Sequence, residues 1–402
     1  MRLLLVALAI ASLPALSQAG EIRIPADQPD LEAALAVAVA NDVILVQTTA
    51  DQGVPSGSLR VTQPVAIIGD PVCNIAVGYF AGGISLEGPG FGEVTLMNVE
   101  LQSASFSYLW SSPLRGGGFD SLSLYGFQAA DNFVPATDSG PSGLELSGIP
   151  SLTIVDSYLW GQGSGTDAFC VGVTPYPWVP GNGIFAPEST VLIIDSIVRG
   201  GYGGNSGVEY IEGACPPDLS IYGGQGGNGI VAKNVYAWNS SIRPGVGVVF
   251  RSWDESCGSG TFTECGKQAD GRAVIVSGTY QNNRCSRLTQ TSSTVALGGD
   301  LVLNWDPLTA ECAPAFTGCG ANCLGFLFVS LAKPVAPYSL LGGLSFLAPQ
   351  TFVLLSTFDS SLPVEWAWAI PATPALSNTP ITAQVALRNG ELSGPAHLRL
   401  GH

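Results

Sequence analysis

Histidine is almost missing from this sequence. Among 402 residues only His397 and His402 occur, so the first 396 positions offer no imidazole for a catalytic site. Charge is also scarce. Charged residues make up 11%, against 51 Gly and 28 Pro, which excludes a helical bundle rich in Glu, Lys and Leu. Basic residues are the scarcer sign, 15 against 31 acidic, and this argues against a nucleic-acid partner. No CxxC pair of the kind used by zinc sites occurs. The Gly-rich stretches 200–207 and 223–229 lack a GK[ST] sequence and a following helix pattern, which removes a nucleotide loop. Apolar runs such as Leu340–Leu347 and Thr351–Leu355 end well short of membrane-spanning length, so no membrane span is expected.

What remains is 46% hydrophobic and dense in turn residues, the composition of an all-β chain. Its start has the form of an export signal. Met1 and Arg2 precede an apolar Leu3–Ala11 stretch, and small residues stand at Ser17 and Ala19. We expect residues 1–19 to be a signal peptide and the mature chain to begin near Gly20, secreted or at the cell surface. Removing Arg2 changes the formal charge from −16 to −17, that is, 14 basic against 31 acidic residues. A polyanionic glycan would be repelled by this charge unless cations bridged the two.

All nine cysteines, Cys73, Cys170, Cys215, Cys257, Cys265, Cys285, Cys312, Cys319 and Cys323, lie beyond the signal. In a chain bound for an oxidising compartment they are disulfide candidates, and the odd count leaves one thiol over or an intermolecular bridge.

After Gly20 the pattern reads strand, helix, strand. Ile22 and Ile24 alternate with polar residues. Asp27 or Asp30 can cap a helix with Leu31, Ala34, Leu35 and Ala38 on one face, and Asn41 stops it before Val43–Val46. A repeat then begins: two alternating apolar residues, a turn residue, a small or apolar residue, and another apolar one. The clearest copies are Leu152, Ile154, Asp156, Ser157, Leu159; Val191, Ile193, Asp195, Ser196, Val198; and Val235, Ala237, Asn239, Ser240, Ile242. Copies starting at 65, 94, 122, 152, 191, 235 and 274 lie 29, 28, 30, 39, 44 and 39 residues apart. The extra length of the later copies reads as insertions. A second short strand precedes several copies, beginning at Ile84, Leu144, Ile184 and Ile230. Two strands and a bend per period are what a β-helix coil requires, and the amphipathic helix at its start would cap the apolar end of the stack. From about Leu288 the repeat is lost. Short strand-like runs at 295–305, 325–331, 339–347, 352–358, 364–370, 381–387 and 397–400 suggest a compact sandwich-like module.

The stretch Ile24-Pro25-Ala26-Asp27 through Leu31, Ala34, Leu35 and Ala38 to Asp42–Val46, followed by Val65–Gly69, resembles the opening of secreted right-handed parallel β-helix proteins of the pectin-lyase-like type. The tail, with Ile370-Pro371, Leu376-Ser377-Asn378 and Gln384, resembles a short β-module that ends similar exported bacterial proteins. The resemblance implies an all-β architecture: a right-handed parallel β-helix with an N-terminal helical cap over 20–287, then a small β-sandwich-like domain over 288–402. It does not imply one activity, because this fold hosts lyases, hydrolases, adhesins and inert fibres.

The chemistry can be weighed residue by residue. Pectin hydrolases of this type use clustered carboxylates with a nearby His and a Gly-His-Gly sequence, and both are missing here. A lyase needs an Arg or Lys base and a cation on the uronate carboxylate. Superposing the best repeats puts Asp156, Asp195 and Asn239 in one column and Trp160, Arg199 and Arg243 in another. Arg199 or Arg243 is then the candidate base, and Asp156 and Asp195 the candidate Ca²⁺ ligands. A bend position accounts for the Asp residues equally, since short polar side chains tolerate unusual φ and bond the next backbone. Trp160, Arg199 and Arg243 face outward and are the candidate ligand contacts. Tyr176 and Trp178 lie in an insertion where they can stack on a sugar or cover outward Val155, Ile194 and Trp238. The expectation is a secreted non-enzymatic structural or surface β-helix that binds extracellular polysaccharide or cell-surface material without a cofactor. The alternative is a cation-dependent polysaccharide lyase on an acidic glycan, with Ca²⁺ needed only in that case.

Overall fold

The computed structural model describes residues 20–48, 52, 58–77, 83–103, 108–109, 112–129, 134–135, 140–162, 181–201, 226–238, 240–245 and 269–275 of the repeat region. In the tail it describes 300–306, 311–317, 324–334, 338–340, 343–345, 347–349, 352–359, 364–365, 368–369, 380–387 and 396–399. The expected signal peptide, residues 1–19, lies outside these.

The protein is all-β, with a single described helix at Leu31–Val37. Its main body is one large, curled parallel sheet of 17 strands, compatible with a parallel β-helix. The strand pairings resolve into three parallel ladders, of nine, six and seven rungs among the described residues. In ladder 1 the partners run Ile22, Ile44, Ile67, Leu96, Leu124, Ile154, Ile193, Ala237, Ile275. Ladder 2 runs Ile75, Leu101, Ala129, Leu159, Val198, Ile242. Ladder 3 runs Leu59, Ile84, Leu114, Leu144, Ile184, Ile230, Ala269.

Side chains from all three ladders meet in one continuous apolar core, in which Ile44, Leu96, Leu124, Ile154, Ile193, Leu159, Val198, Leu144 and Ile184 are fully buried. Burying each such side chain contributes about 1.5–3 kcal/mol, so the inward columns carry most of the stabilisation. Leu152, Val191 and Val235 stack inside as the repeat predicts. The weak copy placed at Val274 is one residue out, because Val235 pairs with Ala273. The sequence pattern also undercounts the strands. It shows two per period where the structure has three, because the ladder 2 strands are as short as Tyr158–Trp160 and Ile197–Arg199 and carry one inward residue each.

The helix at Leu31–Val37 starts where Asp30 accepts a hydrogen bond from the Ala33 N–H at 2.8 Å. Its Leu31 and Ala34 enter the core cluster. Asn41, in a left-handed conformation at φ 73°, redirects the chain into Val43–Val46.

Ladder 1 is buried on both faces. Outward Val43, Leu45, Ala66 and Ile68 form one apolar cluster, and Tyr125, Val155, Leu192, Ile194 and Trp238 form another, with Met97 packed against both. This is why a strand such as Val43–Val46 reads as an unbroken apolar run, while Ser121–Tyr125 keeps its alternation. Lys333 pairs with Glu93 at 3.5 Å and so brings the tail to this ladder.

The tail pairs antiparallel. Asp300–Asp306 lies against Glu311–Thr317, and Leu324–Ser330 lies between Phe352–Asp359 and Pro380–Leu387, which also pairs with Ala396–Arg399. Sequence reading missed the Glu311–Thr317 strand, since Pro314 lacks the N–H a ladder uses and demotes such a run.

Candidate functional site

Each period turns two well-described corners around ladder 2. At the first, between ladders 1 and 2, Asn98, Gly126, Asp156 and Asp195 occupy equivalent positions with φ of 51°, 56°, 47° and 50°. The left-handed region disfavours most side chains and tolerates Asn, Asp and Gly. The bend therefore accounts for these residue types. The Asp156 N–H donates to the Ile194 carbonyl at 3.1 Å and the Asp195 N–H to the Trp238 carbonyl at 3.1 Å, which ties each bend to the next coil. Both carboxylates are exposed. Among the described residues no group of three or more His, Cys, Asp or Glu converges as a metal site would. Asn239, the third member of the predicted column, lies outside the described residues.

The residue after each bend points into the core. This inward column runs Cys73, Val99, Phe127, Ser157, Ser196 and Ser240, all buried. The serines form a chain that sequence reading missed. The Ser157 Oγ donates to the Val155 carbonyl at 2.7 Å, that of Ser196 to Ile194 at 2.6 Å, and that of Ser240 to Trp238 at 2.6 Å. Each hydroxyl also accepts from the coil before it: Phe127 N–H to Ser157 at 3.1 Å, Ser157 N–H to Ser196 at 3.0 Å, and Ser196 N–H to Ser240 at 3.2 Å. The signal was present as a Ser directly after Asp or Asn in the three best repeats.

Cys73 is a free, buried thiol at the head of this column, and burial pushes its pKa up to about 12. Cys312 lies in the Glu311–Thr317 strand, and Cys170, Cys215, Cys257, Cys265, Cys285, Cys319 and Cys323 lie outside the described residues.

The second corner, from ladder 2 to ladder 3, is where the long stretches 163–180 and 202–225 fall in the sequence. Its stems are stacked. The Gln162 N–H donates to Pro141, Gly181 to Gln162, Gly201 to Gly181, Gly227 to Gly201 and Gly245 to Gly227, at 2.7–2.9 Å. Residues that precede and follow the long stretches 163–180 and 202–225 of the sequence thus interleave in one hydrogen-bonded column. Glycine is required by this approach. A Cβ on Gly201 would collide with the Gln162 carbonyl oxygen, and one on Gly227 with that of Gly181.

Beside these stems stands the predicted outward column. Trp160, Arg199 and Arg243 are register partners on successive coils. The Arg199 guanidinium stacks 4.3 Å from the centre of the Trp160 ring, and Tyr158 meets the same ring edge-on at 6.1 Å. Arg243 Nε donates to the Ser241 hydroxyl at 3.0 Å. The stack holds an aromatic face and two guanidiniums on successive rungs of the sheet, all half-buried. Asp156 and Asp195 are on the neighbouring corner. Tyr176 and Trp178 lie outside the described residues. No helix among these residues is long and apolar enough to cross a membrane. No family model matches the chain, and no curated protein matches it.

Proposed function

We propose that this is an exported, non-enzymatic right-handed parallel β-helix of the pectin-lyase-like kind, with Leu31–Val37 as its cap and a sandwich-like tail, which binds extracellular polysaccharide. The observation that carries the reading is the Trp160, Arg199, Arg243 column rising beside the stacked stems of the long connections. Binding functions concentrate in variable connections held on a rigid scaffold. An aromatic face aligned with guanidiniums matches a sugar ring that bears a carboxylate. The bend conformation already accounts for Asp156 and Asp195, which leaves the lyase alternative without dedicated cation ligands.

Affinity electrophoresis through gels containing polygalacturonate, alginate or a neutral glucan tests this. The protein should be retarded by an acidic gel at physiological salt, where the overall repulsion is screened and the local guanidinium and aromatic contacts remain. Trp160→Ala and the double variant Arg199→Ala, Arg243→Ala should abolish the retardation, and neither should change the melting temperature much. Unchanged mobility in every gel would refute binding at this column. A Ca²⁺-dependent rise in absorbance from unsaturated uronides, lost in Arg199→Ala or Arg243→Ala, would replace it with the lyase.

A further inference from the structure

Asp42 is a carboxylate only 6% exposed, and among the described residues no basic side chain partners it. Both of its donors are backbone N–H groups: Val39 N to Oδ2 at 2.8 Å and Gly20 N to Oδ1 at 2.8 Å. A buried carboxylate without a cation is costly, and nearby positive charge is what offsets it. Gly20 is clamped a second time, because its carbonyl accepts the Val43 N–H at 2.9 Å. Its lack of a side chain matters here, since a Cβ would sit 2.8 Å from the same Asp42 oxygen. Gly20 follows Ser17-Gln18-Ala19, whose small residues at the third and first positions before it are those a signal peptidase accepts.

We infer that Asp42 is the built receptor for the mature N-terminus: cleavage between Ala19 and Gly20 turns the Gly20 nitrogen into an α-ammonium that pairs with the Asp42 carboxylate. The inference rests on the export reading above and specifies the cleavage site and its structural consequence. The signal peptidase adds one water across the Ala19–Gly20 amide. The C–N bond breaks, the Ala19 carbonyl carbon takes the hydroxyl, and the acid proton moves to the amine, leaving a carboxylate on the released peptide and an ammonium on Gly20. In the precursor this nitrogen is an uncharged amide with one hydrogen to give. After cleavage the bond to Asp42 becomes charge-assisted, and the remaining hydrogens reach water because Gly20 is exposed. The first strand, Glu21–Ile24, is thereby fastened at its start to the segment that leads into its ladder partner, Val43–Val46.

The test uses the full-length precursor expressed with export and the mature protein recovered from it. Intact mass and N-terminal sequencing should give Gly20 as the first residue; a different start overturns the assigned site, and retention of residues 1–19 overturns the export reading as well. With Gly20 as the start, acetylation of the α-amine by an N-hydroxysuccinimide ester at neutral pH should run about tenfold slower than in denatured protein, the loss of free base expected beside one carboxylate. Asp42→Asn should restore the rate. A form that retains Ala19 before Gly20 keeps Asp42 intact and should melt several degrees lower, so the pairing can be judged even where Asp42→Asn does not fold. Fast acetylation of the wild type, or equal melting of the Ala19-retaining form, would sink the pairing while leaving the export reading untouched.

Discussion

The two corners that flank ladder 2 hold the chain by opposite means. The bend between ladders 1 and 2 is short and built from side chains: a left-handed Asn, Asp or Gly, then an inward residue that in the later coils is a bonded serine. The corner from ladder 2 to ladder 3 is built from backbone, with glycine stems packed carbonyl to amide. From Asn98 onward the first corner keeps one length. The other fixes only the two ends of a connection and leaves what lies between them free to vary. The Trp160, Arg199, Arg243 column stands at the start of the second corner, which is where a scaffold can change its contacts without disturbing its coils.

The largest effect should come from breaking the backbone corner. Gly201→Ala forces a Cβ into the Gln162 carbonyl and should cost about 3 kcal/mol, read as a lower urea midpoint. A cost near zero would mean that the stems are not closed. Ser196→Ala attacks the side-chain corner next. It leaves the buried Ser157 N–H without its acceptor and should cost about 1–3 kcal/mol by the same measurement. Asp156 gives the smallest and sharpest comparison. Asp156→Val should cost about 1–2 kcal/mol, because a branched residue resists φ of 47°, while Asp156→Gly should fall within about 0.5 kcal/mol of wild type. If glycine proved as costly as valine, the carboxylate itself would have a role beyond the bend.

Much of this was legible in the sequence, for identifiable reasons. The Leu152, Val191 and Val235 repeat reported the inward columns because period-2 burial leaves a strict mark. The bend column was legible because few residue types tolerate its φ. Trp160, Arg199 and Arg243 were placed together because register follows from the repeat once the bends are aligned. The serine chain was not foreseen, since a Ser in a bend reads equally well as a solvent-facing turn residue, and only the stacked coils show it buried. The Gly201 and Gly227 stems were legible as glycine but not as a clasp, because close approach is a property of two distant segments. The Lys333 to Glu93 ion pair and the double-sided burial of ladder 1 leave no local pattern beyond a run such as Val43–Val46. The Ala273 register slipped because Ala273-Val274-Ile275-Val276 is an unbroken apolar run, in which either phase of the alternation fits.

The stacked stems also set how much chain-closure entropy an insertion must overcome. Rung-to-rung separation grows from 28 residues between Val94 and Leu122 to 44 between Val191 and Val235. With closure entropy rising as the logarithm of length, that growth costs only about 0.4 kcal/mol. One hydrogen bond of the kind that joins Gly201 to Gly181 or Gly227 to Gly201 contributes about 0.5–1.5 kcal/mol and offsets it. The stack can therefore lengthen a connection at this corner by half a period and keep its rungs in register.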